Sequence, residues 1–147
     1  MIDANEPVVA EIHVLVSPAE AFDAFTGRMG SWWPLKTHSI LEGAADELVV
    51  EGWVGGEIFE RLGDERHHWA DITVWDPPSQ LAYTWRVNPA NPATNVVVDF
   101  VATDSGTHVR VTHSGWAVYA ERAEQMRSSY RDGWPSVLAA FAALTER

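Results

Sequence analysis

A chain of 147 residues with 46% apolar and 21% charged positions is long enough to bury a core of its own and too apolar to stay disordered. Its formal charge of −11 argues against nucleic-acid backbones and anionic membrane surfaces as partners. The absence of cysteine excludes disulfides, thiol catalysis and cysteine-based zinc sites.

No stretch approaches the roughly twenty apolar residues of a membrane-spanning helix. The segment Met1 to Pro7 lacks the basic and apolar regions of a signal peptide, so a soluble, cytoplasmic protein is expected. Val8 to Val16 alternates, with Ala10, Ile12, Val14 and Val16 on one face and Glu11 and His13 on the other, which predicts a first strand. Ser17-Pro18-Ala19-Glu20 reads as an N-cap, a proline at the first helical position and a capping-box glutamate. The short helix it opens points Ala21, Phe22 and Phe25 inward and stops at Gly27. A second helical turn, Met29 to Pro34, tucks Trp32 and Trp33 against the sheet.

Leu35 to Asp46 lacks periodicity and reads as a loop. Glu47 to Val54 and Glu57 to Leu62 form a hairpin about Gly55-Gly56, and Gly63-Asp64-Glu65 turns the chain into a long strand from Arg66 to Asp76. After Pro77-Pro78-Ser79, the segment Gln80 to Val87 places Leu81, Tyr83, Trp85 and Val87 on one face. Asn88 to Thr94, with two prolines and two asparagines, predicts a surface loop. Asn95 to Thr103 and Thr107 to Ser114 alternate on either side of an Asp104-Ser105-Gly106 turn. In the second of these, Thr107, Val109, Val111 and His113 share a face.

From Ala117 to Arg147 the large apolar residues Met126, Tyr130, Trp134, Leu138 and Phe141 recur every three or four positions, the signature of one helical face. Arg127, Arg131 and Asp132 are expected on the hydrated side. Pro135 removes a backbone donor and crowds the Arg131 carbonyl, so the helix should kink or restart there. One long amphipathic helix after a run of short strands implies an α+β domain in which the helix packs on a single antiparallel sheet.

Together these segments resemble the START-like (SRPBCC) superfamily, and within it the heat-shock protein 90 ATPase activator homologue family of small bacterial proteins. The resemblance runs from about Val8 to Leu144. It rests on Ser17-Pro18-Ala19-Glu20-Ala21-Phe22, Trp32-Trp33-Pro34, Gly55-Gly56, Trp69-Ala70-Asp71-Ile72, Trp75-Asp76-Pro77-Pro78 and Leu81-Ala82-Tyr83-Thr84-Trp85. It continues through Gly106-Thr107-His108-Val109, Thr112-His113-Ser114-Gly115-Trp116 and Gly133-Trp134. It implies a single helix-grip domain over residues 1–147. In it a curved antiparallel sheet of about six or seven strands wraps round the long C-terminal helix, with two short helices after strand one and a ligand cavity between sheet and helix.

Candidate functional residues are those that this arrangement brings toward the cavity. Trp33, Trp69, Trp85 and Trp134 serve either as aromatic walls for a flat or apolar ligand or as plain core filling. Tyr83, Phe100 and Tyr130 complete the expected lining. By strand parity His113 points at the helix, as a hydrogen-bonded core histidine or as a ligand contact. His38 lies in the loop after Trp33, near the expected mouth. Asp71 shares a face with Trp69, Thr73 and Trp75, which makes it a candidate base beside aromatic walls. Of Glu57 and Glu60 one faces inward, with Arg110 or Arg86 as a partner or at a solvated rim. Neighbouring His67 and His68 point to opposite faces and cannot chelate one ion together, and no His-x-x-x-His spacing exists, so no metal is assigned. No cofactor or catalytic residue is assigned either. The expected function is therefore a binding protein for a small apolar or aromatic molecule. A hydrolase or cyclase using the same cavity and a chaperone-ATPase-activator-like module are the alternatives. A homodimer and a chaperone partner are left open; nucleic acid and membrane are not expected as partners.

Overall fold

The computed structural model describes residues 6–33, 46–86 and 92–146. The expected loop site His38 therefore lies outside the described residues, as does nearly all of the 35–46 segment around it. In chain order come β1 (Val8–Val14), α1 (Pro18–Thr26), α2 (Met29–Trp32), β2 (Glu47–Val50), β3 (Glu57–Leu62), β4 (Glu65–Asp76) and β5 (Gln80–Trp85). β6 (Thr94–Ala102), β7 (Thr107–Ser114), a 3-10 helix (Trp116–Arg122) and α3 (Ala123–Thr145) follow. The seven strands form one antiparallel sheet in the order β1-β7-β6-β5-β4-β3-β2. The strands from β2 to β7 are a simple meander, and β1 adds itself beside β7. The sheet curls into a half-barrel that holds α3, an α+β helix-grip arrangement.

Local chemistry sets the helix ends much as the residues suggest. Ser17 Oγ accepts the Glu20 amide at 3.2 Å, and Pro18 occupies a position whose amide would have no helical partner. α1 buries Ala21, Phe22, Ala24 and Phe25. β2 ends at Val50, four residues earlier than expected, because Glu51 to Gly56 form the turn. Gly55 sits there at φ 90, a conformation that favours glycine.

α3 starts later than its sequence pattern suggests. Trp116 and Tyr119 are three apart, the 3-10 repeat, and both are buried in the 3-10 helix before it. Ala120, at φ 51, interrupts the helical backbone there. α3 then runs from Ala123 to Thr145 with Pro135 inside and does not restart. Trp134, Val137, Leu138, Phe141 and Leu144 are buried, with Met126 and Tyr130 half-buried. Arg127 is not on the hydrated side. It is buried, donating from Nε to the Glu6 carbonyl at 2.7 Å and from Nη2 to the Pro7 carbonyl at 3.3 Å. Arg127, Tyr130, Trp134, Val137 and Phe141 are spaced by three or four, so the inner stripe is wider than its apolar members.

β4 departs twice from a regular ladder. Ile58 pairs with Ala70 and Phe59 with His68, which leaves Trp69 as an extra residue opposite β3. Ile72 pairs with Tyr83 and Val74 with Ala82, which leaves Thr73 extra opposite β5. Each such bulge breaks the alternation of faces along the strand.

Candidate functional site

The space between sheet and α3 is built from alternate residues of β4, β5 and β7, from the end of α2 and from the middle of α3. On β5, Leu81, Tyr83 and Trp85 face inward, and on β7 Thr107, Val109, Val111 and His113 do so, as their alternation requires. Trp33 leaves α2 in an extended conformation and turns its ring into the same space.

The four expected tryptophans meet there. Ring centroids lie 5.2 Å apart for Trp33–Trp69, 5.5 Å for Trp33–Trp85 and Trp69–Trp85, 6.1 Å for Trp33–Trp134 and 6.3 Å for Trp85–Trp134. These are tilted and edge contacts, the arrangements that ring quadrupoles favour. The indole donors are aimed at specific acceptors. Trp85 Nε1 donates to Tyr130 Oη at 2.9 Å, Trp134 Nε1 to His113 Nδ1 at 3.0 Å and Trp69 Nε1 to Glu60 Oε2 at 2.7 Å.

His113 is fully buried at the centre of the polar part of this network. An indole N–H can only donate, so Nδ1 carries the lone pair and Nε2 carries the hydrogen. Nε2 lies 2.7 Å from Thr94 Oγ1, which therefore accepts, and the threonine hydroxyl donates in turn to the Trp85 carbonyl at 3.4 Å. Burial pushes the histidine down to about 3, so near neutral pH it is uncharged. Both ring nitrogens are engaged, which leaves neither a free lone pair nor a spare proton for acid–base work. Trp116 covers the ring at 4.3 Å between centroids, and its own indole donates to the His113 carbonyl at 3.0 Å.

Tyr83 stands apart from its neighbours. Its ring packs 6.0 Å from Trp85, while its cross-strand partners Ile72 and Val96 are apolar and buried. The hydroxyl is buried with no hydrogen-bond partner among the described residues, and burial raises its pKa. Such a group costs about 1–3 kcal/mol relative to a satisfied one.

The structure thus joins Trp33, Trp69, Tyr83, Trp85, His113, Tyr130 and Trp134 in one aromatic network. Phe100 packs against Phe22 at 5.3 Å and Phe25 at 5.8 Å, under α1, and is linked to Trp33 through Phe25 and Trp32. Asp71 is not in the interior at all. The Trp69 bulge places it on the opposite face, exposed and 3.0 Å from His68 Nε2. Glu60 is neither at a rim nor paired with Arg110, which contacts Glu11 at 3.4 Å. It is fully buried beneath the Trp69 indole. Thr94, read from the sequence as part of a surface loop, opens β6 and is buried against His113. Its place could have been found from Val96 and Val98, which share its parity. A crevice of about 370 Å³ between α1 and the β4–β5 turn, lined by Phe22, Asp23, Trp75, Pro77 and Pro78 among others, touches none of the network residues.

Protein MLL2253 of Mesorhizobium loti is 20% identical, with a TM-score of 0.70 over 97% of this chain and 98% of that one. The Aha1 dimer of Colwellia psychrerythraea is 18% identical, with a TM-score of 0.65 over 97% and 94%. A protein of Rhizobium leguminosarum is 21% identical, with a TM-score of 0.66 over 96% and 94%. At these identities the likeness is one of fold. No curated protein matches the chain. No helix among the described residues is long and apolar enough to cross a membrane. The model of the family described as "Activator of Hsp90 ATPase homolog 1-like protein" matches residues 15–146, and the chain belongs to that family.

Proposed function

We propose that this protein binds a small, flat, largely apolar molecule carrying one hydrogen-bonding group, between the sheet and α3. The observation that carries this reading is the buried Tyr83 hydroxyl, which has no partner among the described residues and belongs to a ring packed against Trp85. A ligand oxygen or nitrogen reaching it would satisfy a group that has no partner among the described residues, while the tryptophan faces supply apolar contact. The hydrolase or cyclase alternative has less support, because both nitrogens of His113 are committed to Thr94 and Trp134.

The test uses 2-naphthol and naphthalene as probes, followed by tryptophan emission, with native mass spectrometry of the freshly purified protein to report a retained ligand. Saturable quenching by both probes is expected. Tyr83→Phe should weaken 2-naphthol about tenfold, or 1.4 kcal/mol, and leave naphthalene unchanged. The same substitution should stabilise the free protein by about 1 kcal/mol, since it removes the orphaned hydroxyl. No saturable quenching by either probe, together with a ligand-free mass spectrum, would sink the reading.

A second reading, an interaction module acting on a chaperone ATPase, draws on the family description and on Trp53 and Val54. These two apolar side chains stand 56% and 62% exposed at the tip of the β2–β3 turn. Loss of ATPase stimulation on Trp53→Ala, with 2-naphthol binding intact, would favour it.

A further inference from the structure

On the face of the sheet turned away from the aromatic interior, the Trp69 bulge assembles a second group of side chains. Residues three apart on a regular strand point to opposite faces. Because Trp69 is an extra residue between the pairs Phe59–His68 and Ile58–Ala70, His68 and Asp71 fall on the same face instead. Glu57 is the direct cross-strand partner of Asp71 and adds a second carboxylate. The Asp71 amide donates to Thr84 Oγ1 at 3.0 Å, which ties this part of β4 to β5.

We propose that Glu57, His68 and Asp71 form a binding site for one first-row divalent ion of the Zn²⁺ class. His68 Nε2 lies 3.0 Å from Asp71 Oδ1 and 3.6 Å from Glu57 Oε1, and one ligand atom from each residue lies within 4.8 Å of the other two. Two ligands held about 2.0–2.2 Å from a tetrahedral ion stand roughly 3.3–3.6 Å apart, so small side-chain adjustments bring this set to ligating distance. One imidazole and two carboxylates form the mixed nitrogen and oxygen set that suits Zn²⁺, Co²⁺ or Mn²⁺ better than a soft ion. All three side chains reach solvent, so water fills the remaining coordination positions of an open site.

Arg66 gives the proposal a sharp handle. Its Nη1 lies 3.9 Å from Glu57 Oε2, on the other oxygen of the carboxylate that faces His68, and its guanidinium sits 4.4 Å above the Phe59 ring. A fixed positive charge there opposes a bound cation. A simple histidine–carboxylate hydrogen bond accounts for the His68–Asp71 distance as well, but it predicts no affinity for a metal and no role for Arg66 in one.

The experiment titrates Zn²⁺ calorimetrically into untagged, chelator-stripped protein, with Co²⁺ visible absorption as a report of coordination. One ion per chain is expected, with Zn²⁺ displacing Co²⁺. His68→Ala should raise Kd by at least about tenfold, or 1.4 kcal/mol, as should the pair Glu57→Gln and Asp71→Asn together. Arg66→Gln should lower Kd, and His67→Ala, which changes the neighbouring ring on the other face, should leave it unchanged. The proposal is overturned if Zn²⁺ binding is not saturable, if His68→Ala binds as the parent does, or if His67→Ala removes the site. Circular dichroism of each variant keeps a folding failure from passing as a lost ligand.

Discussion

On the inner face of β4 the Trp69 indole meets Glu60 at 2.7 Å in a fully buried contact, and His113 nearby has both nitrogens occupied at 2.7 and 3.0 Å. Across the same strand, His68, Asp71, Glu57 and Arg66 stand partly or fully in solvent at 3.0, 3.6 and 3.9 Å. The contrast follows from what water can do. Inside, an unpaired polar atom bears its full desolvation cost, so partners are close and specific; outside, solvent fills any gap and loose spacing costs little. Among the described residues Tyr83 Oη breaks the inner rule, and on the outer face one histidine and two carboxylates gather within 4.8 Å.

The larger effects are expected on the inner face. Trp134 touches Trp33, Trp85 and His113, and its indole fixes the histidine tautomer. Trp134→Ala should cost about 3–5 kcal/mol in denaturant unfolding, and a loss under about 1 kcal/mol would show that the inner face is not the stabilising one.

Acid sharpens the contrast. Burial holds His113 neutral in the folded protein down to about pH 3, whereas an unfolded histidine takes its proton near 6.5. Between those values the unfolded chain binds the extra proton. The stability present above pH 6.5 is therefore lost as pH falls, by about 1.4 kcal/mol per unit from this group. His113→Gln offers a donor to Thr94 and an acceptor to Trp134 but does not titrate. It should flatten the decline between pH 6.5 and 4.5 by roughly 2 kcal/mol relative to the parent. Equal acid slopes for the two proteins would count against the buried neutral ring.

The outer face should be nearly silent in the same assay. His68→Ala removes an exposed pair and is expected to change metal-free stability by less than about 0.5 kcal/mol. A loss comparable with that of Trp134→Ala would mean that the two faces do not differ as described.

Alternation and helical spacing were enough to place most of the interior. Leu81, Tyr83 and Trp85 on β5, Val109, Val111 and His113 on β7, and Trp134, Leu138 and Phe141 on α3 all point where their periods put them. Those elements pair or pack regularly over that stretch, so a local rule carries through. Parity failed at Asp71, where Trp69 intrudes as an unpaired residue. It held for Phe100, which is buried on the face of Val96 and Val98, with Phe22 and Phe25 of α1 packed against it.

The sequence by itself determined the order of strands and helices along the chain, the apolar side of each regular element and the family, because these depend on side-chain period and on short motifs. Tertiary structure alone decided which inward groups meet. Arg127 is buried because the carbonyls of Glu6 and Pro7 arrive from the far end of the chain, and Thr94 because His113 lies on the neighbouring strand. Glu57, His68 and Asp71 come together for a similar reason. A bulge is a property of two paired strands, and the period of either strand alone does not contain it.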